Sequence, residues 1–392
     1  MVFKTPLAWL QLIQQKGRFT VAVAGMAFIV LLMFVQLGFQ DALYSSATAV
    51  HQRLQGDLFL VSSQYKALTS NQSFPRARLY QALGFDTVES VSPMYLEFAK
   101  FRNELTGEKY PIYVIGVEPG KSVINLPEVE GNMDKLKIPD VILFDRDSRP
   151  YFGDIPLQFS QDKGNPVMVE VFPFNNSTGY RVRVGGLFSI GPSFGVDGNL
   201  IVSDSTFLRI FASRPSDRID LGVITLKPGA DPEKALKNLR QNLPSDVRVF
   251  TKLGFNSYEK QYWAARTPIG FILNLMLTMG SVVGVVIVYQ ILYSNISSQF
   301  VAYATLKAIG YENNYLLTVV LQQAIILAIL GYLPGFIFSL GLYDFAMDTT
   351  KLPIMMTFQN AVIVFVSTIL MCLISGILAI NKLRLADPAD IF

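Results

Sequence analysis

The sequence predicts a membrane protein, α-helical with four transmembrane helices, and a large mixed α/β extracytoplasmic domain inserted between TM1 and TM2 on a helical stalk. Three observations predict this. Of 392 residues, 51% are hydrophobic and only 16% charged, with a mean hydropathy of +0.36, outside the range of an ordinary soluble chain. Four stretches, Phe19 to Gln40, Thr267 to Leu306, Asn313 to Tyr343 and Leu352 to Asn381, hold none of the 33 basic and 30 acidic residues. Each can supply the roughly 20 apolar residues that cross a bilayer core, and the rest of the chain has the charge density of a soluble protein.

Residues 1–18 open with Pro6-Leu7-Ala8-Trp9-Leu10-Gln11-Leu12-Ile13, where Trp and a basic flank predict an interfacial helix on the inner leaflet. TM1, residues 19–40, is longer than the roughly 7–15 residues of a signal h-region, so it reads as a retained span even though Ala47-Thr48-Ala49 would pass for a cleavage site. Lys4, Lys16 and Arg18 precede it without an acidic neighbour, and Lys382 and Arg384 follow the last span. With an even number of spans, both termini read as cytoplasmic and residues 41–266 as outside. The helical pattern runs on past Gln40 to Leu54, with no Gly or Pro before Gly56, predicting one helix from Phe19 to Leu54 that outruns the hydrocarbon core. Ser257 to Arg266 predicts a second stalk helix ahead of Pro268.

Within the outer domain, strands are expected at Asp57–Ser62, Tyr110–Val117, Val141–Phe144, Val167–Phe172, Tyr180–Gly185 and Leu200–Ser203, each bounded by turn formers. Leu221–Leu226, a helix capped by Asp231 and ending at Leu243, and Val247–Thr251 form a strand, helix, strand unit. TM2 follows at 267–293. Because the uncharged stretch is too long for one crossing, a break is expected within Ser294–Gln299. Beyond it Phe300, Val301, Ala304 and Ala308 recur at helical spacing up to Gly310, a short amphipathic helix within 294–312 lying along the cytoplasmic surface. TM3 (313–343), an outer loop (344–353), TM4 (354–381) and a cytoplasmic tail (382–392) complete the chain.

Several chemistries are excluded. One Cys (Cys372) and one His (His51) leave no thiolate or imidazole cluster for a metal. A net charge of +3 is too small a bias for nucleic acid. Gly116-Val117-Glu118-Pro119-Gly120-Lys121-Ser122 ends like a phosphate-binding loop, but it has three residues between its glycines instead of four, and Pro119 lacks an N–H. Asp145, Asp147 and Asp154 lie among Arg146 and Arg149, which predicts a salt-bridged loop. No span contains a charge for an ion relay. Gln36, Gln40, Gln322 and Gln323 are expected to bond between helices, and Gly280-x-x-x-Gly284 and Gly331-x-x-x-Gly335 to let helices approach closely. No catalytic, cofactor-binding or metal residue is predicted, so the chain reads as non-enzymatic.

Two stalked spans, an outer domain, two further spans and an inner amphipathic helix together resemble the MacB/FtsX-type permeases of the type VII ABC superfamily, and within them the DevC family of cyanobacterial ABC exporters. Three segments carry this resemblance: Pro6 to Leu12 with Gln36-Leu37-Gly38-Phe39; Gly186-Leu187-Phe188-Ser189-Ile190-Gly191-Pro192-Ser193-Phe194-Gly195 leading to Asp197-Gly198-Asn199-Leu200; and Tyr303-Ala304-Thr305-Leu306-Lys307-Ala308-Ile309-Gly310-Tyr311. The resemblance implies a coupling helix, Phe300, Val301, Ala304, Lys307, Ala308 and Gly310, resting on a separate ATPase subunit (DevA-like) that binds the ATP. Here Ala302 and Lys307 stand where the family usually has Glu and Arg, leaving a more apolar contact. Asp387 and Pro388 in the tail either touch the ATPase or belong to a positively charged anchor. The resemblance further implies a homodimer in the inner membrane, a periplasmic adaptor (DevB-like) and an outer-membrane TolC-like channel. ATP-driven mechanotransmission would export a lipid-like cargo, glycolipid being the family's best-known class. The alternative is an FtsX-like mechanotransmitter that regulates a periplasmic enzyme and transports nothing.

Overall fold

In the computed structural model the described residues are 7–384, except 71, 122, 127–132 and 162–165. The chain divides into two compact units, one of residues 1–42, 268–349 and 354–392, the other of 43–267 and 350–353. In chain order the first helices are α1 (Leu7–Gln14), α2 (Lys16–Ala47) and α3 (Ala49–Arg53). The single stalk helix expected from Phe19 to Leu54 is therefore interrupted. Thr48 leaves helical geometry at φ −102°, ψ 5°, and its hydroxyl donates to the Tyr44 carbonyl at 2.8 Å, a side-chain bond that competes with the backbone ladder and bends helices.

The mixed domain follows: β1 (Leu58–Ser62), β2 (Phe74–Pro75), α4 (Ala77–Leu83), β3 (Val88–Arg102), β4 (Lys109–Val117), β5 (Val141–Asp145), α5 (Ile155–Gln161), β6 (Met168–Pro173), β7 (Tyr180–Phe188), β8 (Asn199–Ser203), α6 (Asp204–Ile210), β9 (Arg218–Ile219), β10 (Leu221–Leu226), α7 (Pro232–Asn242), β11 (Val247–Thr251) and α8 (Lys252–Ala265). Nine strands form one sheet in the order β11-β1-β10-β3-β4-β8-β5-β7-β6, and β6 pairs again with β3. That last pairing, Ala99 to Arg102 against Pro173 to Glu170, closes β3, β4, β8, β5, β7 and β6 into a ring. The other half of β3, Val88 to Met94, pairs with β10 in the open part of the sheet. One 15-residue strand thus serves both halves of the domain.

β3 has no counterpart among the expected strands. Pro93 and the loss of strict alternation at Met94-Tyr95-Leu96 hide it, because the strand changes partners there and both faces become buried. The expected Leu221–Leu226 and Val247–Thr251 are present as β10 and β11. Asp231 caps α7 by accepting from the Glu233 N–H at 2.9 Å, and Pro232 occupies the first turn, where no N–H is needed. Leu58, Phe101, Phe144, Val182 and Leu200 lie in one core and Phe59, Tyr65, Tyr113, Phe188 and Phe255 in another.

Among the described residues four long helices meet the length and apolarity needed to cross a membrane: α2, α9 (Pro268–Ser298), α11 (Asn313–Thr350) and α12 (Phe358–Arg384). Between α9 and α11 lies α10 (Phe300–Ala308). The expected fold class is what the structure contains. The outer loop expected at 344–353 is helical through Thr350, and the chain turns only at Lys351, with φ of 56°. Asp344 and Asp348 end the uncharged run without ending the helix.

Candidate coupling and stalk sites

The break inside the long uncharged stretch falls at one residue, Gln299, between α9 and α10. Its side-chain amide donates to the Gln11 carbonyl at 2.9 Å, and Gln323 of α11 donates to the Gln11 side-chain oxygen at 2.7 Å. Gln11 is buried, so these bonds are shielded from competing water. Two amides thereby fasten α1 to the α9–α10 junction and to α11. The helix stops at Gly310, whose φ of +103° suits glycine, and Tyr311 N–H returns to the Leu306 carbonyl at 3.1 Å, a Schellman closure.

Around that closure apolar side chains face outward: Val301 is 68%, Ile309 71% and Tyr311 45% exposed. Phe300 is half-buried. Ala304, Lys307 and Ala308 have helical backbone, while their side chains, like all of Asp387 and Pro388, lie outside the described residues.

In the same unit both glycine pairs lie against neighbouring helices. A Cβ at Gly331 would come within 2.3 Å of Met26 Cγ, and one at Gly335 within 2.7 Å of the Ala27 carbonyl oxygen, both on α2. At Gly280 it would meet the Gln36 amide at 2.7 Å, and at Gly284 Met371 Sδ of α12 at 3.0 Å and Ile29 Cγ2 of α2 at 3.2 Å. Polar bonds add a collar. Gln40 donates to Asn274 of α9 at 2.9 Å, Asn360 of α12 donates to Asp41 at 2.7 Å, and the Tyr343 hydroxyl of α11 donates to the Phe34 carbonyl. α2 is therefore bonded to each of the other three spans. Gln36 packs against Gly280, and Gln322 is exposed.

The outer unit has its own joint where α3 and α8 meet the sheet. Thr251 caps α8 through the Gly254 N–H at 3.2 Å, and one face of the helix carries Phe255, Glu259 and Trp263, all buried. Glu259, 1% exposed, accepts from the Tyr65 hydroxyl at 2.9 Å, the Leu68 N–H at 3.1 Å and the Trp263 indole at 3.1 Å. Nε2 of His51, on α3, lies 3.5 Å from the same carboxylate. Tyr113 of β4 donates to the Leu68 carbonyl at 2.5 Å, and Tyr258 donates to the Tyr65 carbonyl at 3.0 Å. Burial first, then the Glu259 charge, pushes the Tyr65 hydroxyl well above its usual range. Burial and then Asp220 do the same to Tyr113. Both phenols remain donors. The arrangement ties two stalk elements, α3 and α8, to the sheet.

The glycine-rich segment 186–200 packs beside this joint. Asp145, fully buried at the end of β5, accepts from Asn199 at 2.7 Å and from the N–H groups of Gly191 at 2.9 Å and Ile190 at 3.2 Å. Burial pushes its carboxyl up to about 6, against the weaker opposing pull of Asn199 and two backbone N–H groups. A Cβ at Gly195 would touch Trp263 of α8 at 3.2 Å, so the segment lies against the stalk helix. The expected salt-bridged loop is thus resolved differently. Asp145 anchors the glycine-rich segment, Arg149 pairs with Asp197 at 2.8 Å, and Ser189 donates to Asp147. Lys121, at the end of the phosphate-loop look-alike, is occupied by Glu118 at 3.1 Å and by the Val91 carbonyl at 3.0 Å.

Glu259 was not among the expected site residues. The signal lay in the spacing, since an acid between Phe255 and Trp263 at four-residue intervals sits on an apolar helix face.

Two family models match the chain. The MacB-like periplasmic core domain matches residues 19–242, and the FtsX-like permease C-terminal domain matches residues 274–388. Among solved structures, the periplasmic region of MacB from Actinobacillus actinomycetemcomitans is 12% identical, with 53% of this chain and 94% of that chain covered and a TM-score of 0.35. The extracellular domain of the ABC-type transporter YknZ from Gram-positive bacteria is 16% identical, with 50% and 99% covered and a TM-score of 0.32. Since the first family model alone takes in more than half of the sequence and the second accounts for the remaining spans, this chain belongs to the MacB/FtsX-like permeases of the type VII ABC superfamily.

Proposed function

We propose that the chain is the permease subunit of a tripartite ABC exporter of the DevC type, a homodimer in a cyanobacterial inner membrane with both termini in the cytoplasm. A separate DevA-like ATPase docks on α10, and a DevB-like adaptor and a TolC-like channel continue the route outward. ATP hydrolysis in the partner moves α10 and, through helices such as α2, the outer domain, which drives a lipid-like cargo, glycolipid in the first instance, toward the channel. The observation that carries this reading is the exposed apolar set Val301, Ile309 and Tyr311 on a helix fastened by Gln299, Gln11 and Gln323. A docked ATPase would cover these side chains, and the amide bonds would pass its displacement to α1 and α11.

The test is a mild-detergent pull-down on the full-length chain with co-purifying proteins identified by mass spectrometry. An ATPase together with a coiled-coil adaptor is expected. An ATPase together with a cell-wall hydrolase or its activator would replace export by FtsX-like regulation, which the FtsX-like match keeps as the second reading.

A further inference from the structure

Strands β4, β3, β6 and β7 carry a row of charges on the outside of the ring. Lys109 of β4 stands opposite Arg102 of β3, Arg102 opposite Glu170 of β6, and Glu170 opposite Arg181 of β7, so the four side chains share one face. Their chain neighbours Phe101, Val171 and Val182 belong to the core, which turns the charged row outward. Arg102 donates to Glu170 at 3.0 Å, and Arg181 lies 3.8 Å from the same carboxylate. Two residues back on β3, Lys100 is on this face too, opposite Phe172. Four cations thus meet one carboxylate. Arg102 is 47% and Arg181 72% exposed, and Lys109 is exposed as well. Neither lysine has a carboxylate partner among the described residues. Instead Lys109 Nζ lies 3.5 Å from the centre of the Phe172 ring and Lys100 Nζ 5.0 Å from that of Phe174. Glu108 is on the other face, where it accepts from the Tyr110 hydroxyl, and Glu104 belongs to the turn between β3 and β4.

A lysine that pairs across an interface normally gives up rotamer freedom. Here the ring faces already hold both ammonium groups, so the cations are positioned before a partner arrives. We propose that this face docks an acidic helix of a partner protein. Carboxylates one turn apart on a helix lie about 5–6 Å from each other. That spacing fits cations on adjacent strands, about 4.8 Å apart, and the two-residue step from Lys100 to Arg102, about 6.6 Å. A single phosphate headgroup fits less well, because it needs cations gathered around one group, whereas the row from Lys109 to Arg181 covers three strand spacings, about 14 Å. A second copy of the same face would set cation against cation, which opposes pairing. The proposal does not rest on export or on the α10 surface.

The test is fluorescence anisotropy of a labelled alanine-based helical peptide with glutamates one turn apart, titrated with the full-length chain in a non-ionic detergent. The control peptide has glutamine at each glutamate. Binding of the acidic peptide about tenfold tighter than the control is expected, weakening as salt is raised. Arg102→Glu and Lys109→Glu should each remove that preference, while Lys237→Glu, at an exposed cation on α7, should leave it intact. Lys109→Met keeps the stem over Phe172 without the charge and should weaken binding, so the result does not depend on a variant that repacks the face. Unchanged far-ultraviolet circular dichroism identifies the variants that are folded. Equal binding of the two peptides overturns the proposal. So does an equal loss in Lys237→Glu, which would mean attraction by net charge alone. Equal binding of an acidic peptide whose helix is broken by proline also overturns it, since the face would then take any polyanion.

Discussion

Glu259 is a carboxylate that water does not reach, held by a phenol, a backbone N–H, an indole and, at 3.5 Å, an imidazole. Removing it would leave three buried donors without an acceptor, and such losses in a buried charged network cost about 3 kcal/mol. Glu259→Ala is therefore expected to lower the unfolding free energy of the outer unit by that amount, read from denaturant titrations of Trp263 emission in a Trp9→Phe background. Glu259→Gln keeps one acceptor oxygen and should lose less. Asp145 supplies the pH dependence. Its folded value of about 6 stands above the ordinary 3.8, so the folded state holds the proton more tightly than the unfolded one. This contribution to stability is fully present below about pH 3.8 and is lost as pH rises through about 6, in all about 3 kcal/mol. Asp145→Asn should flatten that slope in unfolding experiments between pH 4 and 7, and an unchanged slope would show that another group causes it.

α10 is short, and in the proposed exporter its exposed apolar side is the docking surface. A charge on its exposed apolar side would have to be desolvated on docking, so Val301→Asp or Ile309→Asp should abolish co-purification of the ATPase while membrane insertion stays normal. Retained co-purification would move the docking surface elsewhere. α2 comes close to α11 at the glycine pair Gly331 and Gly335. At Gly335 a leucine has no room against the Ala27 carbonyl and Val30, and overpacking of this kind costs about 1–3 kcal/mol. Gly335→Leu should lower the thermal midpoint of the detergent-solubilised chain by several degrees, whereas Gly341→Leu, where nothing lies within 4 Å of the added carbon, should not.

For the molecule as a whole, docking and transmission are separable. In the proposed exporter Val301→Asp loses the ATPase and with it all coupling. Glu259→Ala keeps the ATPase, because α10 is untouched, but loosens the link between the stalk helices and the sheet. Export assayed in cells carrying Glu259→Ala should fall while ATPase co-purification and basal hydrolysis persist. Loss of both together would mean that the outer joint also governs assembly.

The four spans, the break before α10 and the outer domain between the first two spans were legible in the sequence because each rests on composition over many consecutive residues. A bilayer excludes charge whatever the fold, and Gly310 ends a helix for a local reason. The candidate coupling helix was legible for the same reason, and the glycine pairs were recognisable as positions of close approach. Which helix fills them was decided only by tertiary structure, through Met26, Ala27, Ile29, Val30 and Gln36, all on α2 faces that no local pattern distinguishes. β3 was hidden because its pattern answers to two different sets of neighbours. Glu259 and Asp145 acquire their roles from donors far away in the chain, Tyr65 and Leu68 for one and Asn199 for the other. Local propensity and hydropathy act between near neighbours and are written in sequence order, whereas the partner of a buried charge is chosen by packing, which exists only once the chain has closed on itself.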